Sequence, residues 1–301
     1  MKRIKSSLLL VIVFVGNLLL IHPSQMASAE GGKIAFSLAG EIYIIDDNGK
    51  NPRRLTEHPA WDSLPAWLPD GRHILFSSNR HHIFGIYVMD LAGKNIKRVA
   101  VENGRPAISP DGQWIAQTVA GFLLLVSIDG LKQKEIHWGR PQGATNMAAW
   151  SPDGKRIAFT IRVPGVLNDI YVIDITGENL QRLTDHPWQD LYPAWSPDGQ
   201  WIAFWSNRDR HNAVYLMEAD GKNPKRLANG RSPEWSPDGQ HIAFVSRQED
   251  IEGIFIMDRD GKNMRLLVEG GDNPAWFGSK LAVSDAGKWI TLWGQMKRET
   301  D

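Results

Sequence analysis

The chain of 301 residues contains no cysteine, and this absence narrows its chemistry from the outset. Without thiols there are no disulfide bridges, and no lipid-modified cysteine can stand at a processed N-terminus. Hydrophobic residues nevertheless make up 42% of the chain, which is ordinary for a globular protein. The composition therefore predicts a hydrophobic core that is large enough for a stable fold without disulfide bridges.

An excess of charge of either sign is also missing, because 34 basic residues balance 34 acidic ones. Lys2, Arg3 and Lys5 lie within the first 29 positions, which hold no acid, so the rest of the chain is slightly acidic. Proteins that bind nucleic acid or anionic membrane surfaces carry a basic stripe or patch. This balance predicts no nucleic-acid partner.

Long hydrophobic runs are scarce, and the run at residues 8–21 is too short to span a membrane. It has 14 residues and includes Asn17, whereas a transmembrane helix needs about 20 apolar residues. A basic start, this run and the Ala27-Ser28-Ala29 motif together form the pattern of a secretory signal peptide. We expect residues 1–29 to be cleaved after Ala29 rather than kept as an anchor. The mature protein is then periplasmic or secreted, without stable membrane insertion.

A Pro-Asp-Gly triplet recurs five times, at spacings of 40 to 45 residues. The copies begin at Pro69, Pro110, Pro152, Pro197 and Pro237. Proline presets the first central position of a tight turn, aspartate suits the second, and glycine supplies a left-handed residue after it. Each unit holds four short strand patterns separated by such turn signals. A period of this length with four strands per unit predicts a propeller blade.

The repeats predict an all-β fold, a six-bladed β-propeller of four-stranded antiparallel blades. The first strand of each unit ends at Trp67, Ile108, Trp150, Trp195, Trp235 or Trp276. The N-terminal unit at residues 33–56 has no first strand, so the simplest closure pairs it with the strand that ends at Trp276. Residues 30–277 then form the propeller and residues 278–301 a tail. Seven blades are the alternative, because residues 280–283 and 289–293 also have strand-like patterns.

The repeat resembles that of the TolB-like β-propeller family, a WD40-like repeat with Pro-Asp in its turn. One unit carries the resemblance in Pro193-Ala194-Trp195-Ser196-Pro197-Asp198-Gly199, Ile202-Ala203-Phe204, Val214-Tyr215-Leu216-Met217 and Lys225-Arg226-Leu227. The resemblance covers residues 31–276 and implies a six-bladed propeller of the bacterial envelope that binds protein partners. Family members named TolB carry an α/β domain before the propeller, which we expect this chain to lack.

The loops between second and third strands, and the connections between blades, vary in length and share one face of the predicted propeller. They are residues 78–85, 160–169, 206–213 and 246–253, and residues 57–64, 137–147 and 185–191. The turns on the opposite face are short and nearly identical between copies. Binding residues concentrate on variable loops held by a rigid scaffold. We therefore expect the variable-loop face to bind the partner.

Two connections on opposite sides of the predicted ring have similar sequences. Residues 55–62 read Leu-Thr-Glu-His-Pro-Ala-Trp-Asp and residues 183–190 read Leu-Thr-Asp-His-Pro-Trp-Gln-Asp, while Ser-Asn-Arg recurs at 78–80 and 206–208. The candidate contact residues on these loops are Trp61, Asp62, Arg80, Trp188, Asp190, Tyr192 and Arg208. The alternative is that the two aspartates cap local turns and that His58 and His186 only pack the loops. No metal site is predicted, because opposite loops cannot share one ion.

Glu234 departs from the repeat, because the equivalent positions hold Ala66, Ala107, Ala149, Ala194 and Ala275. A buried carboxylate is costly unless it is paired. Arg231, close in sequence, and Arg105, which precedes another first strand, are its candidate partners. The pair is either a charged binding site in the channel or a structural ion pair.

Our leading hypothesis is an exported, non-enzymatic propeller, without cofactor or catalytic residues, that binds a protein or peptide. The alternative is a glycan-binding or glycan-cleaving propeller that uses acids and aromatics at the channel mouth, since some lyases use this fold as the whole enzyme. A scaffold without a ligand is a third reading. A serine hydrolase is disfavoured, because the chain has no Gly-x-Ser-x-Gly motif.

Overall fold

The computed structural model describes residues 32–278, apart from residues 102–103, 120, 139–143 and 163–166. The predicted signal peptide with its cleavage site, and residues 279–301 of the predicted tail, lie outside the described residues. All regular secondary structure within the described residues is β-strand. In the same part of the chain, no helix is long and apolar enough to cross a membrane.

Within the described residues, twenty-four strands form six four-stranded antiparallel sheets, each of which is one blade. The inner strands are β4 (Asp62–Trp67), β8 (Ala107–Ile108), β12 (Ala144–Trp150), β16 (Asp190–Trp195), β20 (Arg231–Trp235) and β24 (Asp272–Phe277). The second strands are β1 (Lys33–Leu38), β5 (His73–Ser78), β9 (Trp114–Val119), β13 (Arg156–Arg162), β17 (Trp201–Ser206) and β21 (His241–Gln248).

The remaining strands complete the blades outward. The third strands are β2 (Glu41–Asp46), β6 (Gly85–Asp90), β10 (Phe122–Ser127), β14 (Asn168–Asp174), β18 (Ala213–Glu218) and β22 (Ile251–Asp258). The outer strands are β3 (Arg53–Arg54), β7 (Lys97–Ala100), β11 (Gln133–His137), β15 (Gln181–Arg182), β19 (Lys225–Asn229) and β23 (Arg265–Glu269).

The two ends of the described chain share blade 1, whose strand order is β24-β1-β2-β3. Ile34 pairs with Trp276 and Ala35 with Ala275 in the antiparallel register. Blades 2 to 6 follow in chain order. The prediction of six four-stranded blades closed by the chain ends is confirmed. Closure of this kind leaves no blade without its inner strand.

Except for the two-residue β8, the inner strands are longer than the sequence pattern predicts, because each of the other five has a bulge or register shift in its pairing with the second strand. The pattern predicts a strand that begins at Pro65, whereas β4 begins at Asp62 and its register shifts between Ser63 and Ala66. Leu64 at this bulge has a φ of +53°, and the residue before proline has a similar positive φ in blades 5, 6 and 1, at Tyr192, Ser232 and Asn273. Such bulges bend a strand and re-aim its side chains.

Tryptophans at the ends of the inner strands join neighbouring blades. Three of their indole N–H groups donate to inner-strand carbonyls of the preceding blade: Trp67 to Ala275 at 3.0 Å, Trp150 to Ala107 at 3.1 Å and Trp235 to Ala194 at 3.1 Å. The rings also pack in the hydrophobic clusters between blades. Burial of such a side chain contributes about 1.5–3 kcal/mol, so these residues are structural.

The tight turns carry two repeated hydrogen-bond patterns, one of which the sequence analysis missed. In the Ser-Pro-Asp-Gly turn, Ser196 Oγ donates to Asp198 Oδ1 at 2.5 Å and accepts from the Trp201 amide at 2.9 Å. After each third strand except that of blade 3, an asparagine amide donates to the acid five residues earlier, in the pairs Asn51–Asp46, Asn95–Asp90, Asn179–Asp174, Asn223–Glu218 and Asn263–Asp258. These five asparagines have a positive φ, which asparagine tolerates better than most residues.

Candidate functional site: the variable-loop face and the central channel

A buried ion pair ties the connection between blades 1 and 2 to the β5–β6 loop. Asp62 is fully buried, and Arg80 Nη2 donates to both of its carboxylate oxygens, at 3.0 and 2.9 Å. Arg80 Nε also donates to Ser78 Oγ at 3.0 Å. On the same loop, Asn79 Oδ1 accepts from the Trp61 backbone N–H at 2.7 Å. We call this arrangement the blade 2 clamp.

The guanidinium of Arg80 is also covered by aromatic rings. Its central carbon lies 4.9 Å from the ring centroid of Phe76 and 5.1 Å from that of Tyr87. A cation at such a distance from an aromatic face is attracted to it. Only 9% of the Arg80 side chain is exposed, so it is held inside the blade.

Blade 5, on the opposite side of the ring, has the same arrangement, the blade 5 clamp. Arg208 Nη2 donates to the fully buried Asp190 at 2.9 Å, and Arg208 Nε donates to Ser206 Oγ at 3.1 Å. Asn207 Oδ1 accepts from the Gln189 backbone N–H at 2.9 Å. The repeated Ser-Asn-Arg motif is therefore a device that fixes two neighbouring loops.

The clamps give four of the candidate residues a structural role. Asp62, Arg80, Asp190 and Arg208 are charged, but each is paired and almost completely buried. The two aspartates therefore support local structure. They do so by binding arginine side chains and not by capping turns, which was the alternative given for them above. The clamps fix the loop backbone through these ion pairs and hydrogen bonds.

The two candidate tryptophans are exposed, to 57% for Trp61 and 37% for Trp188. The indole of Trp61 packs on the β1–β2 turn, where a Cβ added to Gly40 would lie 3.0 Å from its ring. Because the clamps align Trp61 with Gln189, Trp188 corresponds to Ala60. The two connections are therefore related by an approximate two-fold symmetry in their backbone contacts. The two tryptophans break this symmetry, because they stand at neighbouring positions that are not equivalent.

The Leu-Thr pair that opens both connections also has a structural reason. Thr56 Oγ1 accepts from the Ile42 amide, and Thr184 Oγ1 accepts from the Ile170 amide, both at 2.9 Å. An ion pair lies beside each threonine, Glu41–Arg54 in blade 1 and Asp169–Arg182 in blade 4. Burial raises the pKa of Asp169, and hydrogen bonding to Arg182 opposes this rise. These pairs were not predicted from the sequence, although the repeated Leu-Thr was a signal for them.

The inner strands converge on a central channel that contains a cavity of about 210 Å³. Five alanines and Glu234 line it at equivalent positions. Arg105, just before β8 of blade 3, donates through Nη2 to Glu234 Oε2 at 2.7 Å and to the Pro274 carbonyl at 3.3 Å. Blades 3 and 6 lie opposite each other, so this ion pair spans the channel. Burial raises the pKa of Glu234, and Arg105 opposes this rise.

Arg231, the other predicted partner of Glu234, pairs elsewhere. It lies 3.0 Å from Glu252 and 3.4 Å from Asp272 of the adjacent blade 1. The bulge explains the difference, because Arg231 pairs with Val245 in the strand register while Glu234 pairs with Ala243. Arg231 therefore lies nearer to the variable-loop face than Glu234 does.

Tyr192 is half-buried at the bulge of β16. Burial raises its pKa, while the charges of Arg105 and Arg231 lower it and Asp272 raises it. Tyr192, Arg231 and Asp272 lie on inner strands at their variable-loop ends, and Glu252 of blade 6 contacts Arg231; we call these four residues the channel mouth. Among the described residues, no three His, Cys, Asp or Glu side chains are arranged to hold a metal ion.

Known proteins share this architecture. The chain is 34% identical to the Tol-Pal system protein TolB of Francisella tularensis over 82 residues, which are 25% of this chain and 18% of that protein. The crystal structure of TolB from Acinetobacter baumannii superimposes with a TM-score of 0.72 at 24% identity, over 82% of this chain and 66% of that one. An oligogalacturonate lyase in complex with manganese shares the fold more distantly, with a TM-score of 0.54 at 15% identity over 78% of this chain and 72% of that one.

Family membership follows from the repeats themselves. The chain spans between 18% and 60% of the length of the first curated relatives that it matches, so the likeness concerns the propeller. The family model described as the TolB beta propeller domain matches residues 21–121 and 123–277, which include the 24 described strands except for Phe122, the first residue of β10. The chain belongs to the TolB β-propeller domain family.

Proposed function

We propose that this protein is an exported, non-enzymatic module of the bacterial cell envelope that binds a protein or peptide partner through its variable-loop face. One observation carries the proposal. Trp61 and Trp188 keep 57% and 37% of their surface exposed on connections that buried clamps hold rigid. Tryptophan is enriched among the residues that dominate interface energetics, and a rigid side chain loses little conformational entropy on binding.

Other exposed apolar side chains on this face support the proposal. Ile83 and Val101 lie at the variable-loop end of blade 2, and Ile251 lies at the same end of blade 6. Charged residues of the channel mouth stand near the centre of the face. Aromatic and aliphatic anchors within a polar surface are typical of protein interfaces.

Export and envelope location rest on two further observations. Residues 1–29 have the basic start, apolar run and Ala-Ser-Ala motif of a secretory signal peptide. One relative is named as a protein of the Tol-Pal system. A periplasmic or secreted protein with a rigid propeller and exposed tryptophans is suited to hold another envelope component.

The test compares three immobilised forms of the protein in an envelope extract of its source. The native protein is compared with the double variant Trp61→Ala/Trp188→Ala and with the matched control Leu131→Ala/Met264→Ala. The control removes exposed apolar side chains from turns on the opposite face. Thermal unfolding verifies that all three forms are folded.

We expect one protein to be retained by the native form and the control, and to be lost by about tenfold or more from the tryptophan variant. Equal retention by all three forms, or no retained protein, would refute the proposal. Retention of a polysaccharide instead of a protein would favour the glycan alternative.

A further inference from the structure

We propose that the central channel accepts one cationic group from the partner, a lysine side chain or an N-terminal amine, with Glu234 as its anionic ligand. The inference deepens the proposed function and rests on it, because it names the chemistry of the group that enters the channel. Its basis is a single carboxylate in a ring of five alanines, bordering a cavity, with only one oxygen committed to a partner.

The carboxylate of Glu234 has an open side. Its Oε2 accepts from Arg105 at 2.7 Å, and no other described residue donates a hydrogen bond to this group. The side chain lines the cavity and is 27% exposed, and this exposed surface faces the channel interior. A carboxylate offers about four acceptor sites, so Oε1 can accept from an ammonium group while Oε2 keeps its bond to Arg105.

Arg105 is the less accessible member of the pair, with 15% of its side chain exposed against 27% for Glu234. Its Nη2 is shared between Glu234 and the Pro274 carbonyl. Burial raises the pKa of Glu234 even though Arg105 is in contact with it, so one guanidinium does not offset the loss of water around the carboxylate. A second cation beside Glu234 supplies the missing stabilisation.

The approach to the cavity favours the same sign of charge. In the channel mouth, the single cation Arg231 faces two carboxylates, those of Glu252 and Asp272. With Arg105 and Glu234 included, three carboxylates therefore stand against two guanidinium groups among these five described residues. Such a funnel attracts cations and repels anions.

The size of the cavity limits its occupant to one side chain or one chain end. Its volume of about 210 Å³ is smaller than the ~300–1,000 Å³ of pockets that take drug-sized ligands. Four methylene groups of a lysine suit the alanine-lined wall, and its ammonium group reaches the carboxylate. The remaining contacts of the partner then lie on the variable-loop face.

Nuclear magnetic resonance of the ¹⁵N-labelled protein tests the inference directly. The Nε–H signal of Arg105, assigned by its absence in Arg105→Lys, reports on the channel. The probes are Nα-acetyl-lysine methylamide, its uncharged norleucine analogue and its anionic glutamate analogue. We expect only the lysine compound to shift this signal, with a dissociation constant of about 1–10 mM for a single contact.

Two substitutions complete the design. Glu234→Gln keeps the shape of the side chain and should weaken binding of the lysine compound by about tenfold or more. Glu252→Gln makes the same chemical change at the channel mouth and should weaken it by less than about threefold.

Three results would overturn the inference: no shift with the lysine compound up to about 50 mM, a shift with the glutamate compound, or unchanged affinity in Glu234→Gln. These results are separable from the capture experiment. A partner that depends on Trp61 and Trp188, together with a channel that ignores lysine, would leave the proposed function intact and remove only this inference.

Discussion

Arg80→Ala tests whether the blade 2 clamp is a structural element, because it leaves the fully buried Asp62 without its cation. Removal of one partner from a buried ion pair costs about 3–5 kcal/mol. Loss of the cation–π contacts with Phe76 and Tyr87 adds about 0.5–2 kcal/mol. We therefore expect the free energy of unfolding to fall by about 3.5–7 kcal/mol. For a chain of this size, the melting temperature then falls by about 7–28 °C.

The assay is urea unfolding followed by tryptophan fluorescence, arranged as a double-mutant cycle. Asp62→Ala, Arg80→Ala and the double variant are compared with the native protein. Because the double variant carries no unpaired buried charge, the two losses should overlap, with a coupling energy of about 2–3 kcal/mol. Lys222→Ala is the control, since it breaks a short but exposed ion pair with Asp220 and should leave the unfolding midpoint unchanged.

Two outcomes would refute this reasoning. One is a loss for Arg80→Ala that is no larger than the loss for Lys222→Ala. The other is strict additivity of the single substitutions, because independent sites show no coupling. Either result would mean that Arg80 behaves as a surface charge, and it would again be a candidate for direct contact with a partner.

Two further predictions concern the channel and a turn. Because burial raises the pKa of Glu234, the native state binds its proton more tightly than the unfolded state does; the free energy of unfolding should therefore fall as pH rises from the ordinary glutamate range near 4.5 into the raised range. Glu234→Gln should remove this part of the slope in denaturation curves, and an unchanged slope would contradict the assignment. Gly93→Ala places a Cβ 1.9 Å from the Leu55 carbonyl oxygen at a φ of +71° and should cost at least about 3 kcal/mol. Gly121→Ala, at a φ of +91° with nothing within 4 Å, should cost only about 1–2 kcal/mol of backbone strain, so equal losses in melting temperature would be the contrary result.

The architecture was predictable because the repeated turns mark where the strands of each repeat begin and end. Successive Pro-Asp-Gly turns mark the first hairpin of blades 2 to 6, and the missing first strand of the N-terminal unit requires the closure that Ile34 and Trp276 make. The bulges were not predictable from the same pattern. A left-handed residue such as Leu64 or Tyr192 before a proline has no signature in hydrophobic periodicity.

The pairing of Glu234 with Arg105 could be foreseen because Glu234 breaks the repeat and Arg105 is a cation that precedes another inner strand. Glu234 replaces an alanine, and Arg105 stands where other inner strands have residues such as Leu64 and Asn273. The clamps could not be foreseen in the same way. Charged residues on variable loops suggest a surface, and the burial of Asp62 depends on how a neighbouring loop folds over it.

Blade 3 shows where the repeat is least constrained. Gln117 occupies the position that holds phenylalanine in the other blades, and it is 5% exposed. Neither polar atom of its amide has a hydrogen-bond partner among the described residues. A buried, unpaired amide costs about 1–3 kcal/mol, so this departure from the repeat is not an improvement in packing. The structure gives no reason for it.

On the variable-loop face, the residues that fix the loop backbone are repeated in blades 2 and 5, whereas the exposed residues differ between the two blades. Equal clamps in blades 2 and 5 fix the same backbone on both sides of the channel. On that backbone, Trp61 of one connection is equivalent in position to Gln189 of the other, and Trp188 is equivalent to Ala60. The pair of Arg105 and Glu234 crosses the channel in one direction only, from blade 3 to blade 6. The face therefore has a symmetric frame and asymmetric contacts, so a partner that uses both tryptophans and the channel meets it in one orientation.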